Sequence, residues 1–487
     1  MVTTLNYVTG LKCGQRKDER EKINKKEKEK RNLTLKMVVK VRKKNHVRKI
    51  FFTGFFGAAV CGSFSFLAEA FDGGRQQCYS GVSNLEMERL KMKCEAEKNT
   101  ALRPWQQVQA IYVHIPFCVQ KCLYCDFTSY ACHDRKLQQQ YAEAVCWEIR
   151  RKSEMKQAIN SAATIYFGGG TPSVLAAEDI AKIAEALKSC GYWQQPPEAT
   201  IEVNPGTADM AKLQALRELG FDRISFGVQS LQDGELKAIG RIHTAREALE
   251  AIEIAKVAGF KRINVDVIYG LPQQRLKSLE ATLQQLTETG IEHLSVYGLI
   301  LEEGTPLTRL VEAGRVQLPD EDTAADMYEF VQCFLREQGY ERYEVSNYAR
   351  GGAYSRHNLA YWQYLPYEAF GAAACAFDGA KRVTATAEVA AYIAGSESGK
   401  DIYDVEQLSQ AELLGEFMFM NLRKTTGADL AQARERYGVD VWGKYRAELE
   451  PLRAAGLVDY DEKRQILRLT ESGMEVGNQI FEIFVTV

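Results

Sequence analysis

Three of the twelve cysteines in this 487-residue chain fall within eight residues: Cys118, Cys122 and Cys125, in the string IYVHIPFCVQKCLYCDF. The spacing C-x3-C-x2-C puts three thiolates on one tight loop, directly after a β-branched and aromatic run. Three such thiolates can bind three irons of a [4Fe–4S] cube and leave the fourth iron open to a small-molecule ligand. A structural zinc site asks for four ligands, typically in C-x2-C pairs, and the nearest spare donors are Cys132 and His133. A disulfide scaffold fits poorly, because the cysteines are neither dense nor evenly spaced.

Further residues could serve a ligand beside that loop. The triplet Gly168-Gly169-Gly170 would let backbone approach a ligand closely, and Thr171-Pro172 stiffens its exit. Alone, such a triplet is more often just a turn. Glu202 ends an apolar run, where a carboxylate contacts a ligand, caps a helix or makes an ion pair. Arg241 could grip a carboxylate through two parallel hydrogen bonds, or form a surface ion pair of little worth. For Tyr112 or Tyr124 taken alone, core packing is the default. In SRHNLAYW, His357 offers an imidazole beside the flat apolar rings of Tyr361 and Trp362. A lone histidine is otherwise a hydrogen-bonded structural residue.

The elements that must position these residues are regular after Trp105. Strand-like runs recur at 111–115, 164–168, 200–205, 223–229, 263–270 and 293–301, and helical stretches separate them. This alternation predicts a parallel α/β sheet of six units, a partial (β/α)6 barrel with its chemistry at the carboxyl ends of the strands. Beyond residue 400, helical spacing at 407–420, 429–437 and 441–455 precedes a hairpin around Asp461–Arg464 and a last helix from Thr470. That order is winged-helix-like, but the segment is too poor in basic residues for DNA binding. A lid or docking surface is the better expectation.

The first hundred residues read differently. Residues 1–50 carry 17 Lys and Arg against 5 Asp and Glu, so the remaining chain is acidic and unlike a nucleic-acid binder. From Lys22 to Lys49 the composition is that of a solvated segment. The uncharged run from Ile50 to Ala68 is long enough, at about 1.5 Å per residue, to cross a bilayer core. It reads as a membrane or targeting segment, a buried helix, or translation from upstream of the native start. The expected organisation is an extension over 1–105, a core over 106–305, a flanking segment over 306–400 and a C-terminal domain over 401–487.

The cysteine spacing at the end of the first strand resembles the radical S-adenosylmethionine (SAM) superfamily. That resemblance implies an open iron that chelates SAM, which is cleaved reductively to a 5′-deoxyadenosyl radical. YVHIPFC, FGGGTPS (167–173), EVNPGT (202–207), GVQS (227–230), GRIHT (240–244) and DVIYGLP (266–272) resemble the coproporphyrinogen oxidase-like branch. On that resemblance Tyr112, Tyr124, Gly169, Gly170, Thr171, Glu202, Gln229, Arg241 and Asp266 contact SAM or line its cavity. The oxidases of the branch carry a fourth cysteine two residues after the third, whereas here that position is Phe127. The C-D-F string and HNxxYW are similar to the HemW-type haem chaperones. They imply haem as ligand with His357 as a contact, haem proteins (membrane respiratory enzymes among them) as recipients, an electron donor for the cluster, and no nucleic-acid partner. An oxygen-independent coproporphyrinogen III oxidase is the alternative. The expected location is the cytoplasm, with membrane association as the variant.

Overall fold

Alternation of apolar and polar residues from Val108 onward sets one strand after another, each followed by a helix that covers its apolar face. The computed structural model describes residues 102–154, 159–400 and 402–485. The basic segment and the apolar run at 50–68 lie outside them. Strands β1 (Val108–Ile115), β2 (Ile159–Gly169), β3 (Ala199–Val203), β4 (Arg223–Gln229), β5 (Arg262–Tyr269) and β6 (His293–Gly298) lie side by side in chain order, all neighbours parallel. Between them run helices α1 (Arg135–Ser153), α2 (Ala177–Ser189), α3 (Met210–Leu219), α4 (Ala245–Val257) and α5 (Leu276–Glu288). Local chemistry sets their starts. The Asp134 carboxylate accepts from the backbone N–H groups of Lys136 and Leu137, and Thr244 with Glu247 forms a capping box.

One face of the sheet is conventional. Ile111, Val113, Ile165, Phe167, Ile201, Ile224, Phe226, Val265 and Leu294 are buried in one core with helix residues such as Ile183, Leu187 and Ile252. The alternate positions form the other face, and they are polar: Tyr166, Glu202, Arg223, Ser225, Asn264, Asp266 and Ser295. A closed (β/α)8 barrel fills that space with branched apolar side chains. Here it is left for something polar.

The sheet also runs beyond the six units. On one side β7 (Glu341–Arg342) and β8 (Asn347–Ala349) add antiparallel to β6. On the other, β9 (Tyr367–Phe370) lies parallel to β1, with Ala110 opposite Tyr367, and β10 (Cys375–Phe377), β11 (Lys381–Ala385) and β12 (Tyr403–Gln407) follow antiparallel. Helix α6 (Arg356–Trp362) precedes β9. Buried Glu148 on α1 ties these late strands in, accepting from the Gly371 N–H (2.8 Å), Tyr392 (2.6 Å) and Tyr403 (2.5 Å). Gly371 has φ +111°, and a Cβ there would sit 2.5 Å from the His114 carbonyl.

Residues 410–485 form a separate unit. Helices Gln410–Leu422, Leu430–Tyr437 and Arg446–Ala454 are joined by a three-stranded antiparallel sheet, β13 (Ala428–Asp429), β14 (Val458–Asp461) and β15 (Ile466–Leu469). The hairpin turns where Asp461 accepts from the N–H groups of Lys463 and Arg464, both at 3.0 Å. Helices with a terminal hairpin give the winged-helix-like order expected. No helix among the described residues is long and apolar enough to cross a membrane.

Candidate functional site

The cysteine loop is fixed at both ends. Phe117–Cys118 pairs with Tyr130–Ala131 as a short parallel ladder, and the Cys132 N–H donates to the Cys118 carbonyl (3.0 Å). His114, at the end of β1, bonds the Thr128 carbonyl through Nε2 (2.9 Å) and Tyr112 through Nδ1 (3.0 Å). Burial lowers its pKa to about 4, so it stays a neutral strut. Packing against this strut dictates glycine in the triplet. Gly169 has φ +112° and a Cβ there would lie 2.5 Å from the His114 ring, while one on Gly170 would lie 2.7 Å from the Phe117 carbonyl.

A cavity opens under the loop, lined by all three cysteines and by residues from every one of strands β2 to β6. Each sulfur has a polar partner. The Thr171 hydroxyl donates to Cys118 Sγ (3.5 Å), Arg241 donates to Cys122 Sγ (3.4 Å), and Ser129 Oγ lies 3.9 Å from Cys125 Sγ. Asn204 then braces both donors, giving Nδ2–H to Thr171 (2.7 Å) and accepting from Arg241 at Oδ1 (2.7 Å); Arg241 also donates to the Gly227 carbonyl. Burial raises the Cys118 and Cys125 thiols, which these donors oppose.

No three His, Cys, Asp or Glu side chains among the described residues converge closely enough to hold one metal ion. Thiols that each take a different iron need not converge. Three sulfurs on one cavity wall, Cys118 buried and Cys122 and Cys125 half-buried, each with a polar partner, fit a [4Fe–4S] cluster. The spare zinc donors do not join them: Cys132 packs in the core with its thiol on the Asp134 carbonyl, and His133 is exposed.

Carboxylates line the cavity wall. Glu202 accepts from Tyr166 (2.7 Å) and from the Gly169 N–H (3.1 Å), and shelter from solvent pushes its pKa up to about 8. Burial also raises Asp266, which accepts from Asn264 (2.8 Å). Gln229 sits at φ +72° beside a bulge in β4, a strained backbone held at the cavity wall.

Of the residues expected from the sequence, Tyr124, Gly169, Gly170, Thr171, Glu202, Gln229, Arg241 and Asp266 line this one cavity with the cysteines. Tyr112 and His357 do not. Tyr112 stacks on Tyr166 (centroids 6.2 Å apart) and bonds His114. His357 is fully buried beneath Tyr166 (4.8 Å), with Nδ1 on the Thr164 hydroxyl (2.8 Å) and Nε2 without a partner. Burial lowers its pKa to about 3. Asn204, Arg223, Asn264 and Asn358 line the cavity and were not singled out, although strict polar alternation in RIS (223–225) and NVD (264–266) marks two of them as facing inward.

A parallel α/β sheet whose polar inner face opens on a C-x3-C-x2-C loop defines a radical SAM protein. Residues 112–286 match the Radical SAM superfamily and residues 408–476 match the HemN C-terminal domain. The chain is 34% identical to "Heme chaperone HemW" of Bacillus subtilis over 380 residues, 78% of this chain and 99% of that protein. It is 33% identical to the Haemophilus influenzae protein of the same name over 386 residues, 77% and 98% respectively. The chain belongs to the HemW family. The solved structure of coproporphyrinogen III oxidase (HemN) from Escherichia coli superposes with a TM-score of 0.68 at 23% identity, covering 80% of this chain and 92% of that one, so the two share a fold.

Proposed function

We propose that this protein binds haem and delivers it to haem proteins, with a [4Fe–4S] cluster held by Cys118, Cys122 and Cys125 and SAM held in the adjoining cavity. The observation that carries the choice is Phe127, which lines the cavity at the position where the oxidase pattern has its fourth cysteine. The relatives named heme chaperones support it.

A [4Fe–4S] cluster held by Cys118, Cys122 and Cys125 would supply reducing power to SAM held in the adjoining cavity. The chain's own residues prepare that site. Thr171 and Arg241 stabilise negative charge on two sulfurs, and Asn204 keeps both donors aimed. The Gly169–Gly170 turn brings backbone against the ligand space, and Glu202 offers an acceptor for an ammonium or hydroxyl.

Anaerobically reconstituted protein is expected to shift the Soret band of added haem at one equivalent, and to leave coproporphyrinogen III unconverted. Decarboxylation at a useful turnover would instead establish the oxidase reading. A haem contact at His357 requires α6 to part from Tyr166. Loss of the Soret shift in His357→Ala would assign the iron ligand. An unchanged shift places the ligand elsewhere and leaves the haem reading standing.

A further inference from the structure

The inner face of the sheet holds a second group of side chains, at the end away from the cysteine loop. Arg223 opens β4 and Gln229 closes it, six residues apart, roughly 20 Å at about 3.3 Å per residue. Both line the cavity, so the space continues to the opposite ends of the strands.

Arg223 is 2% exposed, yet among the described residues its guanidinium has no hydrogen bond and no ion pair. A buried guanidinium with five unmatched N–H donors is costly unless something accepts from it. The neighbouring carboxylate is already committed. Glu198 Oε2 takes Arg262 (2.7 Å) and the Arg356 N–H (2.8 Å), while Oε1 takes the His357 N–H (2.9 Å). Burial works against the charge on Arg223, and the fields of Glu198, Tyr166, Tyr343 and Asp266 together outweigh it, so Arg223 remains a cation.

Asn358 adds an independent observation. It rides on α6, whose first amides Glu198 caps, and it too lines the cavity at 6% exposure, with Oδ1 buried and unpartnered. A carboxylate can take its Nδ2–H donor, and the unpartnered Oδ1 can accept from an N–H of the same ligand. A planar fork of donors matches a carboxylate in geometry and charge.

We propose that Arg223, with Asn358, forms a carboxylate-binding subsite at the end of the cavity remote from the cysteine loop. Two sources share this chemistry: the propionate of a tetrapyrrole and the carboxylate of an amino acid. The subsite does not depend on the haem reading.

The test uses full-length protein, reconstituted anaerobically and saturated with SAM, titrated with two probe pairs by calorimetry. One pair is haem and haem dimethyl ester; the other is L-methionine and its methyl ester. At least one acid is expected to bind tenfold or more tighter than its ester, and the pair that shows the preference identifies the source. Arg223→Met is expected to abolish the preference while cluster absorbance stays unchanged. Asn358→Asp, which sets a negative charge at the subsite without disturbing β4, is expected to weaken the same acid at least fivefold and spare the ester. Equal binding of acid and ester in both pairs, or a preference that survives both substitutions, overturns the proposal. Should haem fail to bind at all, the methionine pair still decides it.

Discussion

Hydrogen bonds to a ligating sulfur stabilise the more negative, reduced state of a cluster, so removing one lowers its potential. Thr171→Val deletes the donor to Cys118 while keeping its volume. Iron content is expected to stay near wild type and the potential to fall, read by EPR-monitored redox titration. Cys122→Ser is expected to remove the cluster absorbance altogether. A second residue-scale effect is acid sensitivity. His357 is buried neutral, with a folded pKa of about 3 against 6.5 for the free side chain. The unfolded chain therefore binds the extra proton, and stability is lost as pH falls below about 6.5. His357→Gln should flatten that limb by up to roughly 1.4 kcal/mol per pH unit between pH 6 and 4. Thermal midpoints across that range check it. Buried His114 and His243, also lowered to about 4, leave a residual slope in the variant.

At the level of elements, Glu198 holds together three segments: the entry to β3, Arg262 on β5 and the first turn of α6. Glu198→Ala removes a fully buried carboxylate and leaves Arg262 only the Pro197 and Tyr354 carbonyls and Asp222, at a cost of about 3 kcal/mol in urea unfolding. Gly371→Ala drives a methyl into the His114 carbonyl and Tyr141, costing about 2–3 kcal/mol by the same measurement. The six parallel strands and the cysteine loop were legible in the sequence, because β-branched runs alternate with amphipathic stretches and the thiols follow the first run. Strands β7 to β12 were not. They are short, and segments such as FGAAACAF carry no period-2 pattern, so only tertiary pairing makes them strands. Asn204 and Asn358 were hidden for another reason. Their roles depend on partners 33 residues away or on a cavity that exists only once the sheet curls.

On the scale of the whole molecule, every residue lining the cavity falls between Cys118 and Asn358. Protein lacking residues 1–101 is therefore expected to reconstitute the same iron content as the full chain, measured by iron and sulfide analysis. The β1–β9 pairing has a consequence of its own. Val113, in the first strand, acquires its second neighbour, Phe370, only after 257 further residues have been added. A growing chain emerging from the ribosome thus carries β1 with one open edge for most of its synthesis, and contacts that distant in sequence form slowly. The nascent protein should lean on holding chaperones until β9 arrives, and chains stopped before Tyr367 should aggregate where the complete chain stays dispersed.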